Sequence, residues 1–360
     1  MPSISLFGPY TMGPHTLANR IVMNPMTRCR ADAMGVPTPI MATYYAQRAT
    51  AGLIVTEGIA PSPNGRGYAR QPGLWSPAQI AAWKTVTTAV KAQGGVIFAQ
   101  VMHTGRVSHP ANMPEGGRII APSALALAGQ MYSDAEGMQD YPVPAEMTLA
   151  DIAATKAEFV TAAKGAIAAG FDGIELHGAN GYLLEQFLSP HTNQRSDAYG
   201  GSVANRIKFV VEVARDVAAA IGGDKVGIRL SPFGMASGMT PYPEVDETYL
   251  TLTKALAAAG LVYLHIANHA AMGNPPIPAD LLNALHTAWP RTFFLGGSFD
   301  LASGQAAVDA GESDLVGIGR AFIANPDLVA RMKNATPLAA MNPDALYSPG
   351  PAGYCDYPNA

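Results

Sequence analysis

Short, continuously apolar runs recur along the 360-residue chain, each followed by turn residues and then by a segment with helical periodicity. Such runs are typical of parallel strands buried on both faces, because strands with one solvated face alternate apolar and polar residues. The eight runs span residues 19–24, 52–57, 96–102, 172–177, 226–230, 262–267, 292–296 and 315–319. Eight strands alternating with helices predict a single α/β domain over residues 1–360, a closed (β/α)8 TIM barrel.

The segments between the runs carry helix signals. Ser76 is a candidate N-cap for a helix that ends at Gly94–Gly95, with Pro77 in its first turn. Apolar spacing predicts further helices over residues 149–169, 204–221, 246–259 and 279–289. Pro326 suits the first turn of a last helix. A doubly wound open sheet is the rival fold, but no strand runs into the GxGxxG turn that binds dinucleotides in such sheets.

Two segments fall outside the strand–helix pattern. The leading segment SLFGPYTMGPHTL looks like an N-terminal hairpin, and we expect it to close the bottom of the barrel. The connection after the third strand, residues 107–144, is long and rich in Pro, Gly, Met and Ala. Long structureless loops are uncommon in compact domains and are usually functional. We therefore predict that this insertion is a structureless lid over the barrel mouth.

Charge and composition argue against several classes of protein. The net charge is −4 without a basic tract, so nucleic acid is not an expected partner. No stretch approaches the roughly 20 apolar residues that span a bilayer, and no secretory signal is evident. Cys29 and Cys355 form neither a CxxC pair nor a metal-binding spacing. We expect a cytoplasmic protein with reduced thiols and no membrane partner.

Polar and glycine residues stand where the strands are expected to end, which is where (β/α)8 barrels place their active sites. The last two strand ends are candidates for a phosphate site. Glycines allow backbone N–H groups to approach a phosphate, and Arg320 can bind two of its oxygens. Barrels often hold phosphate in these two loops, here at Gly297 and Gly319. The alternative is that the glycine pair at 296–297 only makes a tight turn; its pairing with Gly319–Arg320 favours phosphate.

The segment HGANGYLLEQF, after the fourth strand, is the sharpest candidate for catalysis. His177 and Asn180 carry N–H donors that together could hold an oxygen on which negative charge develops. The Tyr182 phenol could donate a proton late in a reaction. The alternative is a packed histidine, an asparagine in a turn and a core tyrosine. A metal site of His103, His177 and His265 would lack HxxxH or HExxH spacing.

Arg229 lies inside an apolar strand, where a guanidinium group is costly unless it is paired. It could form a salt bridge with Glu175 or Glu57, or it could face an anionic cofactor. Gln100 also lies on a strand. Its neutral amide could pair with the pyrimidine edge of a cofactor ring or satisfy a neighbouring strand.

The residues at these strand ends resemble those of the Old Yellow Enzyme family of FMN ene-reductases. The likeness covers nearly the whole chain, and its most specific part is FDGIELHGANGYLLEQFLSPHTNQRSDAYGGSVANR. The other matching segments are NRIVMNPMTR, YYAQRATAGLIVTEG, QVMHTGRVSH, GIRLSP, GIGRAFIANPDLVARM and GYCDYP. The resemblance implies FMN-dependent reduction of the activated C=C bond of α,β-unsaturated carbonyl or nitro compounds. NADPH is the implied reductant, in a ping-pong mechanism.

The resemblance also implies roles for individual residues. The FMN phosphate is expected at Gly297, Gly319 and Arg320. The flavin ring is expected to contact Thr27, Gly58, Gln100 and Arg229. His177 and Asn180 are expected to bind the carbonyl or nitro oxygen of the substrate, and Tyr182 to protonate the α-carbon. The residues expected to shape the pocket are Met26, Tyr68 and Tyr347.

Two details refine the match, and two other functions compete with it. Thr27 stands where another branch of the family has cysteine, and the donor pair is His-x-x-Asn where some relatives have His-x-x-His. One rival function is a flavin-free barrel isomerase or aldolase that acts on a phosphorylated substrate. No strand-end lysine for a Schiff base and no carboxylate pair for a metal supports it. The other rival is a flavin-binding protein without catalysis, for which Tyr182 would have no purpose.

Overall fold

The eight predicted runs form a closed parallel barrel in the computed structural model of the chain, which describes residues 5–360. The strands are β1 (Tyr10–Met12), β2 (His15–Leu17), β3 (Ile21–Met23), β4 (Leu53–Val55), β5 (Ile97–Val101), β6 (Ile120–Ala121), β7 (Gln130–Ser133), β8 (Gly137–Asp140), β9 (Ala145–Glu146), β10 (Gly173–Gly178), β11 (Val226–Leu230), β12 (Tyr263–Ala267), β13 (Thr292–Gly297) and β14 (Leu315–Ile318). The barrel runs from β3 through β4, β5 and β10 to β14, which pairs with β3 again. The predicted TIM-barrel architecture is confirmed.

Helices cover the outside of the barrel between its strands. They are α1 (Pro39–Gln47), α2 (Pro77–Ala92), α3 (Leu149–Ala168), α4 (Leu183–Leu188), α5 (Val203–Arg206), α6 (Lys208–Ile221), α7 (Val245–Ala258), α8 (Ala279–Ala288), α9 (Leu301–Asp309), α10 (Arg320–Ala324) and α11 (Leu328–Asn334). The helix predicted over 204–221 is divided at Ile207 into α5 and α6. Pro326 was wrongly placed in a helix, because α11 begins only after Asp327. Within residues 5–360, no helix has the length and apolar character needed to cross a membrane.

The predicted start of α2 is confirmed by its cap. The Ser76 hydroxyl accepts the backbone N–H of Gln79 at 3.3 Å, and the Gln79 side chain accepts the backbone N–H of Ser76 at 3.0 Å. This reciprocal capping box satisfies two N–H groups that have no partner within the helix. Pro77 occupies the first turn, where a missing N–H costs nothing.

An antiparallel hairpin of β1 and β2 lies against one end of the barrel. Met12 and Leu17 from the hairpin are fully buried and join a cluster of barrel side chains. Its barrel members are Val22, Leu53, Val55, Phe98, Val262, Tyr263, Phe294 and Leu315. These side chains fill the barrel interior on the hairpin side, so the opposite, carboxyl ends of the strands are left for a site.

The insertion over residues 107–144 has structure, so the expectation that it is structureless was wrong. β6 pairs with β9, and β7 pairs with β8 as a hairpin that turns before Gly137. Met131 and Ser133 are buried while Gln130 and Tyr132 are exposed, which is the alternation of a strand with one solvated face. The Gly- and Pro-rich composition hid this short alternating pattern.

The segment over residues 343–355, called here the C-terminal arm, lies against α1 and the loop after β3. Arg28, Arg30 and Arg48 donate hydrogen bonds to its backbone carbonyls. All three side chains are at most 2% exposed. The shortest of these bonds joins Arg28 Nη2 to the Gly353 carbonyl at 2.6 Å. The arm is therefore an integral part of the packed structure.

Candidate active site

A cavity of about 910 Å³ lies at the carboxyl ends of the barrel strands. Small-molecule sites typically have volumes of roughly 300–1,000 Å³. The predicted site residues that line it are Met26, Thr27, Tyr68, Gln100, His177, Asn180, Tyr182, Arg229, Gly297, Gly319, Arg320 and Tyr347. Gly58 lies outside this lining. A Cβ atom at Gly58 would stand 2.5 Å from Met102 Cε, so close packing accounts for the glycine.

His177 lies in β10, next to Arg229 of β11 in the strand register. The backbone N–H of Ala179 donates to His177 Nδ1 at 3.3 Å, so in the neutral ring Nε2 carries the proton. Burial, and secondly the charge of Arg229, hold the pKa of His177 well below its usual value. The imidazole is therefore neutral near pH 7 and has one N–H donor left for the cavity.

Asn180 lies in a left-handed turn after β10, with φ of +60° at Asn180 and +76° at Gly181. Asparagine tolerates this conformation, and a Cβ at Gly181 would stand 2.7 Å from the Cβ of Ser237. The Asn180 backbone N–H donates to Ser231 Oγ at 2.9 Å. Ser231 Oγ and the Gly181 N–H both donate to Glu185, at 2.7 and 2.6 Å. A buried carboxyl group thus anchors the turn that carries Asn180.

Glu185 and His269 also belong to the site, although neither residue was predicted to do so. Burial raises the pKa of Glu185 to about 7, against the opposing effect of three hydrogen-bond donors. His269, which follows β12, lines the cavity, and its Nε2 lies 2.7 Å from Asn180 Oδ1. Burial lowers the pKa of His269 to about 4. The sequence could have indicated His269, because a histidine that closely follows a strand end is a candidate for the active site of a barrel. No sequence feature indicated Glu185, because a buried position in a helix usually serves packing.

Tyr182 stands between His177 and Tyr68. Its hydroxyl lies 2.8 Å from the Tyr68 hydroxyl, and its ring meets the His177 ring edge-on at a centroid distance of 4.8 Å. Burial raises the pKa of Tyr182 to about 12. The phenol is therefore fully protonated near pH 7 and has a hydroxyl neighbour that can replace the proton it gives away.

Arg229 has no hydrogen-bond or ion-pair partner among residues 5–360, and its Nε atom is buried. The salt bridge with Glu175 that the sequence allowed is not formed. Glu175 instead accepts hydrogen bonds from Gln100 at 2.8 Å and Tyr263 at 3.1 Å, and its Oε2 lies 2.9 Å from His265 Nδ1. A buried guanidinium without a partner is costly, which indicates that Arg229 has a ligand as its partner.

Glu57, the other predicted partner of Arg229, supports the loop after β3. It accepts the backbone N–H groups of Arg28 at 3.3 Å and Cys29 at 3.1 Å. Cys29 has a φ of +57°, an uncommon conformation for its residue type. These bonds fix the loop that carries Thr27, whose side chain lies half-buried at the cavity wall.

The ends of β13 and β14 leave space beside their glycines. A Cβ at Gly297 would meet nothing closer than Phe299 at 3.6 Å, and one at Gly319 nothing closer than Met26 at 3.6 Å. At Gly296, in contrast, a Cβ would stand 2.3 Å from His265 Nε2, so that glycine is explained by packing. Among residues 5–360, the exposed Arg320 side chain has no partner. Open backbone beside an unpaired guanidinium suits a bound phosphate.

Two segments frame the mouth of the cavity, and Arg70 joins them. Arg70 forms an ion pair with Asp134 in the turn between β7 and β8. It also donates to the Tyr347 carbonyl of the C-terminal arm at 2.7 Å. The Tyr347 side chain is 59% exposed and stands at the rim.

Within residues 5–360, no group of three or more His, Cys, Asp or Glu side chains could hold a metal ion.

The chain is similar over nearly its full length to proteins described as flavin-dependent reductases. The family model of the NADH:flavin oxidoreductase / NADH oxidase family matches residues 5–339. A probable flavin mononucleotide-dependent alkene reductase of Leishmania infantum is 39% identical, over 97% of this chain and 96% of that protein. The 12-oxophytodienoate reductase 2 of Arabidopsis thaliana is 38% identical, over 99% of this chain and 96% of the relative.

Solved structures give the same result. Morphinone reductase superposes with a TM-score of 0.95 at 38% identity, covering 99% of this chain and 96% of the other. The Old Yellow Enzyme homologue of Zymomonas mobilis has a TM-score of 0.95 at 37% identity, with 99% and 100% coverage. The chain therefore belongs to the NADH:flavin oxidoreductase / NADH oxidase family, and it is an FMN-dependent alkene reductase of the Old Yellow Enzyme type.

Proposed function

We propose that this enzyme reduces α,β-unsaturated carbonyl or nitro compounds with NADPH in a ping-pong cycle, in which reductant and alkene occupy the cavity in turn. When bound, FMN supplies the hydride chemistry. The observation that carries the proposal is that an unpartnered arginine, Arg229, a pair of N–H donors and a protonated phenol line one cavity. A site for storage of flavin alone would not need the donor pair or the phenol.

The cavity has groups suited to both the ring and the phosphate of FMN. Arg229 is a buried cation without a partner, which suits an electron-rich ring that gains negative charge on reduction. Gly297, Gly319 and Arg320 have the open backbone and free guanidinium that a phosphate requires. We assign ring contacts to Thr27 and to Gln100, which line the cavity. The family pattern also implies a backbone contact of Gly58, but Gly58 lies outside the lining, so we assign it none. Gln100 donates one amide N–H to Glu175, so its oxygen and its second N–H are left for the ring.

In this proposal the substrate oxygen binds to His177 Nε2 and to the Asn180 amide. Hydride addition to the β-carbon places negative charge on that oxygen, so two fixed donors stabilise the transition state more than the ground state. Tyr182 then protonates the α-carbon, and Tyr68 is its hydrogen-bonded neighbour. The side chains that shape the pocket are Met26, Tyr68 and Tyr347.

Residues 107–144 serve as the lid of the cavity in this proposal. Met131, Tyr132 and Tyr141 from this insertion contribute to the cavity wall, which supports the assignment. Arg70 holds the lid to the C-terminal arm, so the rim has a defined shape. We also propose that the enzyme works in the cytoplasm, consistent with two unpaired cysteines, Cys29 and Cys355.

The proposed cycle is tested by an anaerobic visible spectrum of the purified protein. We expect a flavin band that bleaches when NADPH is added and returns when cyclohexenone follows. If the flavin band bleaches but does not return, the alkene half of the cycle is contradicted. If neither NADPH nor NADH bleaches the band, the reductive half is contradicted. A colourless protein that does not take up added FMN would contradict the whole assignment.

Replacing Tyr182 with phenylalanine is expected to separate the two halves of the cycle. Bleaching by NADPH should persist, while turnover of a weakly activated enone should fall about 100-fold or more, because proton transfer by a positioned side chain typically contributes about 100- to 10,000-fold. Stopped-flow kinetics of each half-reaction measures both rates. An equal loss in both halves would argue against Tyr182 as proton donor.

A further inference from the structure

His269 contacts the amide that the proposed mechanism uses to bind substrate. Its Nε2 lies 2.7 Å from Asn180 Oδ1, and both residues line the cavity. His269 follows β12, 89 positions from Asn180 in the sequence, so the barrel brings the two together. No other side chain of residues 5–360 forms a hydrogen bond with the Asn180 side chain.

The contact decides which end of the amide faces the substrate. An asparagine amide presents an acceptor oxygen on one side and a donor NH₂ group on the other. When His269 Nε2–H donates to the amide oxygen, the NH₂ group remains free for the cavity. The opposite orientation would leave the oxygen facing a substrate oxygen, which would repel it. Burial lowers the pKa of His269 to about 4, so the ring is neutral near pH 7 and its one proton must lie on Nε2 for this bond.

We propose that His269 is a positioning residue that holds the Asn180 amide with its NH₂ group toward the substrate. The proposal rests on the proposed role of Asn180 in oxygen binding. With the proton of His177 on Nε2, the site then presents two donors and no acceptor to the ligand. Such a pair selects bare acceptor oxygens, namely carbonyl, nitro and phenolate oxygens, over hydroxyl groups that must themselves donate.

The backbone around Asn180 cannot provide this selection by itself. Ser231 and Glu185 fix the main chain of the turn, but neither forms a hydrogen bond with the side-chain amide. Without His269 the side-chain amide can rotate, and the donor orientation is only one of its states. The expected consequence is weaker ligand binding with the FMN site intact.

Three variants test the proposal: His269→Ala, His269→Gln and Asn180→Ala. The probe is 4-chlorophenol, titrated into the FMN-bound protein and followed by the change in the flavin spectrum. We expect His269→Ala to weaken binding about 10-fold, as loss of one oriented hydrogen bond does. His269→Gln keeps a donor that can reach the amide oxygen, and it should restore binding to within about threefold of the parent protein.

The double variant His269→Ala/Asn180→Ala distinguishes positioning from direct contact. If His269 acts only through Asn180, the double variant binds 4-chlorophenol no more weakly than Asn180→Ala alone. Fully additive losses, or parent-like binding by His269→Ala, would overturn the proposal. If Asn180→Ala itself binds like the parent protein, the proposed role of Asn180 fails instead. FMN content and melting temperature are measured for every variant, and His269→Gln keeps the test decisive if His269→Ala does not fold.

Discussion

The double variant His177→Ala/Asn180→Ala is expected to bind 4-chlorophenol about 1,000-fold more weakly than the parent enzyme. Each donor to a charged oxygen contributes about 2 kcal/mol, and the two together correspond to roughly three powers of ten in affinity. Reduction of cyclohexenone should slow at least as much, because the negative charge on the oxygen is greatest in the transition state. Titration of the flavin spectrum and steady-state kinetics measure the two effects.

The FMN content of this variant provides its internal control. Neither side chain is assigned to the cofactor, so the purified double variant should remain yellow with full FMN occupancy. His191→Ala/Asn205→Ala is a matched pair of substitutions away from the cavity lining, and it should bind 4-chlorophenol like the parent. If the cavity pair can be removed without loss of alkene turnover, the assignment of the substrate-oxygen site is wrong.

Arg229→Met is expected to stabilise the FMN-free protein and to weaken FMN binding. The side chain is buried without a partner, so an apolar replacement removes a desolvated charge. Glu175 keeps its contacts with Gln100, Tyr263 and His265 after the change. The melting temperature of the FMN-free protein should rise by about 2 °C for each kcal/mol gained. The further rise on adding FMN should become smaller, since that rise reflects FMN affinity.

Arg48→Met is the matched control for this experiment. Arg48 is also buried, but it donates hydrogen bonds to the carbonyls of Tyr44, Phe322 and Ile323, each at 2.8 Å. Its removal leaves buried carbonyls without partners, so the FMN-free protein should lose about 3 kcal/mol or more. Opposite signs for the two variants would identify Arg229 as a cation held in place for a ligand. Destabilisation of the FMN-free protein by both would show that Arg229 is structural.

The barrel could be predicted from the sequence because its signals are local. Each strand is a short apolar run. The helices are marked by apolar spacing and by their caps, such as Ser76 at the start of α2. The insertion over 107–144 was harder. Its hairpin depends on four-residue strands whose alternation is no stronger than that of an ordinary loop. Pro326 was wrongly predicted to lie in the first turn of the last helix, because a proline that fits a first turn fits equally well just before a helix.

The candidate site could be predicted only in part. Strand ends share one rim in this fold, so the positions of His177, Asn180 and Arg229 in the sequence are enough to group them. The residues that contact these side chains and support their loops could not be predicted from the sequence. Asn180 meets His269 across 89 positions, and Ser231 meets Glu185 across 46. Such contacts depend on side-chain direction within the closed barrel, and no local pattern encodes that direction.

The buried arginines beneath the C-terminal arm have a consequence for the order in which the barrel can fold. Arg28, Arg30 and Arg48 lie in the first strand–helix unit of the barrel, yet each also donates to a carbonyl of the C-terminal arm, 325, 315 and 306 positions later in the sequence. β3 likewise waits for β14 before its second edge is paired. Until β14 and the arm are in place, β3 has one unpaired edge, and Arg28 and Arg30 cannot be buried with these acceptors. The final packing around Arg28 and Arg30 thus depends on hydrogen bonds that join residues 325 and 315 positions apart, and contacts of such long range are slow to form during folding.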